Sequence, residues 1–471
     1  MDENAEYMDG KVKLLSIDDA MNLDRKKVLE TYRTYVNPSL ANLMALLDMD
    51  VHFVKAQGAN VWDEDGNKYL DFVGGFGSLN LGHNHPAVLE ALQKVATVPV
   101  MLQSALSKFA AVLGHNLVQI APLGLQNCWF CSSGTEAVEG SLKLARIYSG
   151  KDNIIYTLGG FHGKTMGSLS VTGRKKYQEP FEPLIPGCIH IPYGDSAALE
   201  YALRENNAAA FIVEPVQGEG GIIPPPPGYL REVRELCSKY NTLLILDEIQ
   251  TGLGRTGKMF ACQHEDIVPD VLVLSKSLGG GVVPIGCYMT TAPIMKKAYG
   301  GGMDKGLMLT STFGGNAHCA AAAIAALEIT VKENLPQKAE EKGKYFLNKL
   351  EELKSKHEII KDVRGQGLLI GLEVVANKSL FDSLSAGLTG NTTSEFLSSM
   401  IAAELLKEHK VMVIFTLNNP NVIRLEPPLN VSTEDIDYVV DALDKLFSRH
   451  KSFLKIALKS GKNVISSMFK K

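Results

Sequence analysis

The sequence lacks any run of about 18 consecutive apolar residues, the length a membrane-crossing helix needs, because each apolar stretch is soon broken by Gly, Asp or Lys. A helical membrane span is therefore not expected. An excess of one charge is missing too: 48 Lys and Arg against 52 Asp and Glu leave a net charge of -4, which announces neither a nucleic-acid-binding face nor a disordered tail. Seven cysteines (Cys128, Cys131, Cys188, Cys237, Cys262, Cys287, Cys319) are an odd number scattered through apolar segments. They suit reduced thiols in a cytoplasmic protein, not an extracellular disulfide scaffold. Met1 to Gly10 carries Asp2, Glu3, Glu6 and Asp9 where a secretory signal needs a basic start and an apolar run, so export by that route is not expected.

No metal site is expected either. Cys128 and Cys131 have C-x-x-C spacing, but no second pair or Cys/His partner stands at matching spacing, and they close an apolar strand where a thioredoxin-like motif would open a helix. They read as structural cysteines. His83 and His85, two apart and without a carboxylate or Cys at ligand spacing, read as a turn before a helix that begins at Pro86.

What is present is length and glycine. A chain of 471 residues has room for two or three domains, and its 43 glycines exceed the usual ~7%. Helical periodicity from about Ser16 to Asp48, with a start near Asp18 or Asp19, precedes short strands from Val51 to Leu70 around an Asp65-Gly66 turn. From there to about residue 315, apolar runs (127–131, 153–157, 209–213, 243–246, 271–274) alternate with amphipathic helical stretches such as 134–148 and 229–240. That pattern predicts an α/β fold, a mostly parallel sheet covered on both faces. Mixed helices and short strands, at 367–375, 410–415 and 422–425, predict a second, α+β domain. The expected division is 1–70 as a helical segment and part of a small domain, 71–330 as a large cofactor-binding domain, and 331–471 as the rest of the small domain. The helical tail from Thr433, basic near its end, reads as a solvated face.

Ligands of open parallel sheets bind beyond the carboxyl ends of the strands, and here those ends are polar. One run ends in Asp247-Glu248, another in Ser275-Lys276, a third in Glu214, and the first in Ser132-Ser133-Gly134-Thr135 opening a helix. An amine, an acid and a helix N-terminus are what pyridoxal phosphate asks for: a partner for its aldehyde, an anion for its ring nitrogen and a pocket for its phosphate. Two nucleotide patterns overlap these residues. Gly252 to Gly257 fits G-x-G-x-x-G, but it begins five residues past Asp247 with no helix following, and the near-Walker stretch 252–258 has Met259 where Ser or Thr is required. Neither nucleotide reading stands.

The ordered motifs Asp247-Glu248-Ile249-Gln250 to Gly257, Pro269-Asp270, Ser275-Lys276 to Gly281, and Pro284-Ile285-Gly286 resemble the class III aminotransferase signature. Residues 132–136, 160–165, 214–220, 312–316 and 424–428 extend the resemblance over roughly 50–445. It implies the fold type I architecture of pyridoxal-phosphate-dependent transferases and a homodimer with shared active sites. Lys276 is then the amine that bonds the cofactor's aldehyde and later moves the proton. Asp247 pairs with the ring nitrogen, Gln250 with the ring oxygen, and Phe161 stacks on the ring. Ser133, Gly134 and Thr135 hold the phosphate, which Thr312 reaches from the neighbouring subunit. Glu214 and Glu219 lie above the ring, and Glu219 pairs with Arg424, the fork for the carboxylate of 2-oxoglutarate.

Ornithine-type and acetylornithine-type members carry Arg at the position of Lys164, where it holds the donor's α-carboxylate, and lysine is a poorer fork. With 76–83, 417–420 and 423–428, this departure resembles the putrescine aminotransferase branch. The implied reaction moves an amino group from putrescine, with cadaverine a further donor, to 2-oxoglutarate, giving glutamate and 4-aminobutanal, which cyclises to 1-pyrroline. The alternatives are ornithine, acetylornithine or 4-aminobutyrate as donor, or an isomerase, racemase or decarboxylase on the same cofactor.

Overall fold

The structure is a computed structural model that describes residues 14–47, 49–101, 105–375 and 390–449; the acidic start of the chain and the basic end of its tail lie outside them. The first helices, Ile17–Met21, Arg25–Tyr35 and Pro38–Leu46, are capped by Ser16, Asp24 and Asn37, whose side chains each accept a backbone N–H three residues on. Ser16, rather than Asp18 or Asp19, starts the first helix because it forms a reciprocal capping box with Asp19. Strands β1 (Phe53–Gln57), β2 (Asn60–Asp63) and β3 (Lys68–Asp71) follow as an antiparallel meander.

The large sheet comprises β4 (Leu125–Cys131), β5 (Ile154–Thr157), β6 (Cys188–Ile191), β7 (Ala210–Val213), β8 (Leu243–Asp247), β9 (Val271–Leu274) and β10 (Gly286–Thr291). Its spatial order is β4-β10-β9-β8-β7-β5-β6, and β10 alone runs antiparallel to its neighbours. Every residue of β5, β7, β8 and β9 is buried, which is why these strands are continuous apolar runs. Side-chain alternation sorts them into two cores. Phe211, Val213, Leu244 and Leu246 pack with helices 108–120, 196–206, 229–239 and 317–332, whereas Ala210, Ile212, Leu243 and Ile245 face helices 134–149 and 292–299. Burial stabilises each such Val, Leu, Ile or Phe by about 1.5–3 kcal/mol. Cys128 and Cys131 stand on β4, half-buried and buried respectively.

Beyond helix Leu335–Lys356, strands β11 (Ile360–Gln366) and β12 (Leu369–Val374) form a hairpin, and helix Gly390–His409 leads to β13 (Val411–Met412), β14 (Ile414–Phe415) and β15 (Val422–Leu425). The order β11-β12-β15-β14 is wholly antiparallel, while β13 leaves it to pair in parallel with β3, Val411 opposite Leu70. The meander and the C-terminal part thus share a sheet. Helix Thr433–Arg449 closes the described chain over a core that includes Leu350, Leu372, Ile423 and Leu443. Among the described residues no helix is long and apolar enough to cross a membrane.

Candidate active site

The carboxyl ends of β8 and β9 lie side by side, Asp247 opposite Val273, so Asp247 and the Ser275-Lys276 pair emerge at one edge. Asp247 is buried and its Oδ2 lies 2.7 Å from Nδ1 of His162, whose side chain is also fully buried. Burial alone would lower the pKa of His162, but the hydrogen bond to Asp247 and its charge outweigh this and raise it. The Nε2 of His162 has no partner among the described residues. The motif at 160–165 contains this histidine without implying a role for it, because a single loop histidine carries no spacing signal.

Lys276 is half-buried in a left-handed backbone conformation (φ 46°), a geometry that costs a non-glycine residue on the order of 1 kcal/mol or more. Burial lowers its pKa, and among the described residues its ammonium makes no hydrogen bond or ion pair. Glu214 accepts the N–H groups of Phe161 (2.8 Å) and Gly218 (3.1 Å). Its pKa is pushed up to about 7, chiefly by burial, with His162 opposing and Asp247 adding to the rise. Gln250 donates through Nε2 to Oε2 of Glu426 at 2.8 Å. Gly218 passes so close that a Cβ there would lie 1.9 Å from the Gln250 carbonyl oxygen.

At the other end of the site, Ser133 caps the 16-residue helix Gly134–Ser149, its hydroxyl accepting from Glu136 N–H and donating to the Glu136 carboxylate at 2.9 Å. Gly134 and Thr135 are the first two helical residues, and their N–H groups have no partner among the described residues. Thr135 Oγ1 lies 2.7 Å from Thr165 Oγ1 and 2.6 Å from Ser168 Oγ. A helix N-terminus with two unbonded N–H groups and three clustered hydroxyls fits a phosphate. With an unpaired lysine and a buried aspartate at the neighbouring strand ends, the residues present fit pyridoxal phosphate. Thr312 is not brought into this cluster. It is exposed and, with Ser132 and Glu136, lines a cavity of about 320 Å³ that none of the other candidate residues borders.

Arg424 projects from β15, wholly buried, with Nη2 2.5 Å from Oε1 of Glu219; the other Glu219 oxygen accepts Leu417 N–H at 2.8 Å. Burial favours the neutral form of Glu219, but Arg424 prevails and its pKa is lowered. Among the described residues none of the three Arg424 nitrogens makes an aligned hydrogen bond. The Phe76 ring, held by a left-handed backbone (φ 56°), lies 5.3 Å from its guanidinium carbon. Lys164, by contrast, is exposed, 5.8 Å from the centre of the Tyr177 ring.

The glycine-rich stretch that imitates a nucleotide loop has another use. Arg255, in its middle, is fully buried and donates to the carbonyls of Leu368 and Pro427 and to Asn80, tying the loop to the C-terminal part. Gly257 packs on Glu340 of helix Leu335–Lys356, where a Cβ would stand 3.0 Å from the Glu340 Cβ.

Sheet order, the lysine beyond β9 and the aspartate at the end of β8 together define a fold type I pyridoxal-phosphate-dependent transferase. The aminotransferase class-III family model matches residues 45–447, and the chain belongs to that family. Its cofactor is pyridoxal phosphate. Similar solved structures include an ornithine aminotransferase from Toxoplasma gondii ME49, 32% identical over 95% of this chain and 99% of that one, with a TM-score of 0.78. An acetylornithine aminotransferase from Elizabethkingia anophelis is 31% identical over 91% of this chain and 100% of that one, at 0.73. An amine transaminase from an uncultivated Pseudomonas species, solved with pyridoxal phosphate bound, is 30% identical over 85% and 95%, at 0.76.

Proposed function

We propose that this aminotransferase takes the amino group of a diamine, putrescine first and cadaverine second, and passes it to 2-oxoglutarate. The single observation that carries the donor is Lys164. In the resemblance described above this position decides whether a donor's α-carboxylate is forked by a guanidinium, and here it is an exposed lysine. The buried guanidiniums of the site are both engaged, Arg255 by carbonyl groups and Arg424 by Glu219. A donor without a carboxylate leaves the Glu219–Arg424 pair closed; 2-oxoglutarate displaces Glu219 and takes Arg424.

Bound pyridoxal phosphate supplies an aldehyde that takes up amino groups and a ring that draws electrons from the adjoining carbon. Lys276 Nζ holds the cofactor and then carries the proton between donor carbon and cofactor, a task its lowered pKa suits. Asp247, kept in place by His162, is the anion for the ring nitrogen. Gln250 addresses the ring oxygen, Phe161 the ring face, and Ser133, Gly134 and Thr135 the phosphate. Glu214 flanks the Asp247–His162 pair. Thr312 serves the site of a second copy in a homodimer, which agrees with its exposed position beside the same helix start.

The neighbouring ornithine and acetylornithine aminotransferases favour a second reading, a carboxylated amino acid as donor. Lys164→Arg separates the two. Under the diamine reading it raises kcat/KM for ornithine by about tenfold, the worth of a restored guanidinium–carboxylate hydrogen bond. If the wild type already uses ornithine well and the variant gains nothing, the diamine reading falls.

A further inference from the structure

Glu426 follows β15 two residues after Arg424, so the two side chains leave the chain on the same side. Its carboxylate is completely buried among groups that are all functional candidates or their supports. Oε2 accepts from Gln250 at 2.8 Å and lies 3.8 Å from Arg424 Nη1. Oε1 lies 3.7 Å from Arg255 Nε without an aligned hydrogen bond. The backbone leaves room for this acid only because residue 77 is glycine, where a Cβ would fall 2.5 Å from Oε1. Of the charges surrounding Lys276, that of Glu426 acts on it most strongly, ahead of Arg424, Glu219 and Glu214. Arg424 therefore has two acids about it, Glu219 on one side and Glu426 on the other.

Glu219 is the acid that a ligand carboxylate displaces. Glu426 has no such freedom, since Gln250, two arginines and the glycine-lined backbone enclose it. The side chain stays in place through both halves of the reaction. We propose that Glu426 is a specificity-determining residue of the donor half: a fixed counter-ion behind Arg424 that biases the donor pocket toward an amine whose far end is cationic and against one whose far end is a carboxylate. The inference rests on the diamine reading of this site and adds to it the residue that sets the preference.

The test is Glu426→Gln, which keeps the size of the side chain and an acceptor for Gln250 while removing the charge. The readout is the ratio of kcat/KM for putrescine to that for 4-aminobutyrate, equal in reacting end and opposite in far-end charge, at saturating 2-oxoglutarate. Removing a unit charge from beside Arg424 moves the ratio toward 4-aminobutyrate by about tenfold. A general structural defect would depress both donors alike. Calorimetry on holoenzyme whose lysine linkage has been reduced with borohydride, where no turnover occurs, gives putrescine binding weakened by a similar factor in the variant. Glu426→Asp, which withdraws the charge by one methylene, shifts the ratio in the same direction by less, and it decides the matter should the Gln variant not fold. An unchanged ratio, or one moved toward putrescine, overturns the role of Glu426. A wild type that prefers carboxylated donors overturns the diamine reading instead, and the shift on mutation is read independently of that preference.

Discussion

The substitution Glu219→Gln tests the exchange of anions at Arg424. Both side chains are nearly or fully buried, 8% and 0% exposed, with 2.5 Å between Glu219 Oε1 and Arg424 Nη2. Two unit charges whose delocalised centres stand about 4 Å apart attract by about 4 kcal/mol at an effective dielectric near 20, and rehydrating the freed carboxylate returns roughly half. The remaining ~2 kcal/mol is the penalty a ligand carboxylate meets when it displaces Glu219, a factor of about 30 in apparent affinity. The amide oxygen of the substituted side chain keeps the Leu417 N–H bonded, so the loop holds. In two-substrate steady-state kinetics the variant should show a KM for 2-oxoglutarate about 30-fold lower. Discrimination between putrescine and 4-aminobutyrate should fall by a similar factor, because Arg424 now receives any carboxylate. A folded variant with an unchanged or higher KM for 2-oxoglutarate would refute the exchange.

Glu214 and Lys276 give two further outcomes. Glu214 has a pKa near 7 in the folded chain, raised mainly by burial, so its contribution to stability is full below the ordinary carboxylate range and is lost as pH rises through 7, about 3 kcal/mol in all. Thermal melts of cofactor-free protein should show Glu214→Gln gaining on the wild type between pH 5 and pH 8; parallel profiles contradict the raised pKa. Lys276→Ala should abolish turnover and the visible absorption of lysine-linked cofactor, and an active variant removes Lys276 from the mechanism.

The sequence was most readable where strands are buried on both faces. β5, β7, β8 and β9 have no polar alternation, so their ends, and with them Glu214, Asp247 and Lys276, stood out. Strands β6, β10 and β11 carry no such signal. β6 is an edge strand with His190 exposed, β10 begins at a glycine and ends in two threonines, and β11 carries an exposed Lys361 with half-buried Asp362 and Arg364. Long-range pairing was out of reach: Glu426 meets Gln250 across 176 positions and Arg255 meets Pro427 across 172, separations at which no local pattern speaks. The glycine-rich loop imitates a nucleotide motif for a related reason, since its conformation serves contacts with Leu368, Pro427 and Glu340 that only folding brings near.

The donor remains the central claim, and one measurement reaches it directly: kcat/KM of the wild-type holoenzyme for putrescine, ornithine and 4-aminobutyrate, each with saturating 2-oxoglutarate and glutamate as the common product. An exposed Lys164 and an Arg424 closed by Glu219 require putrescine to lead by at least about tenfold, the worth of one missing carboxylate fork. A clear preference for ornithine would contradict the account.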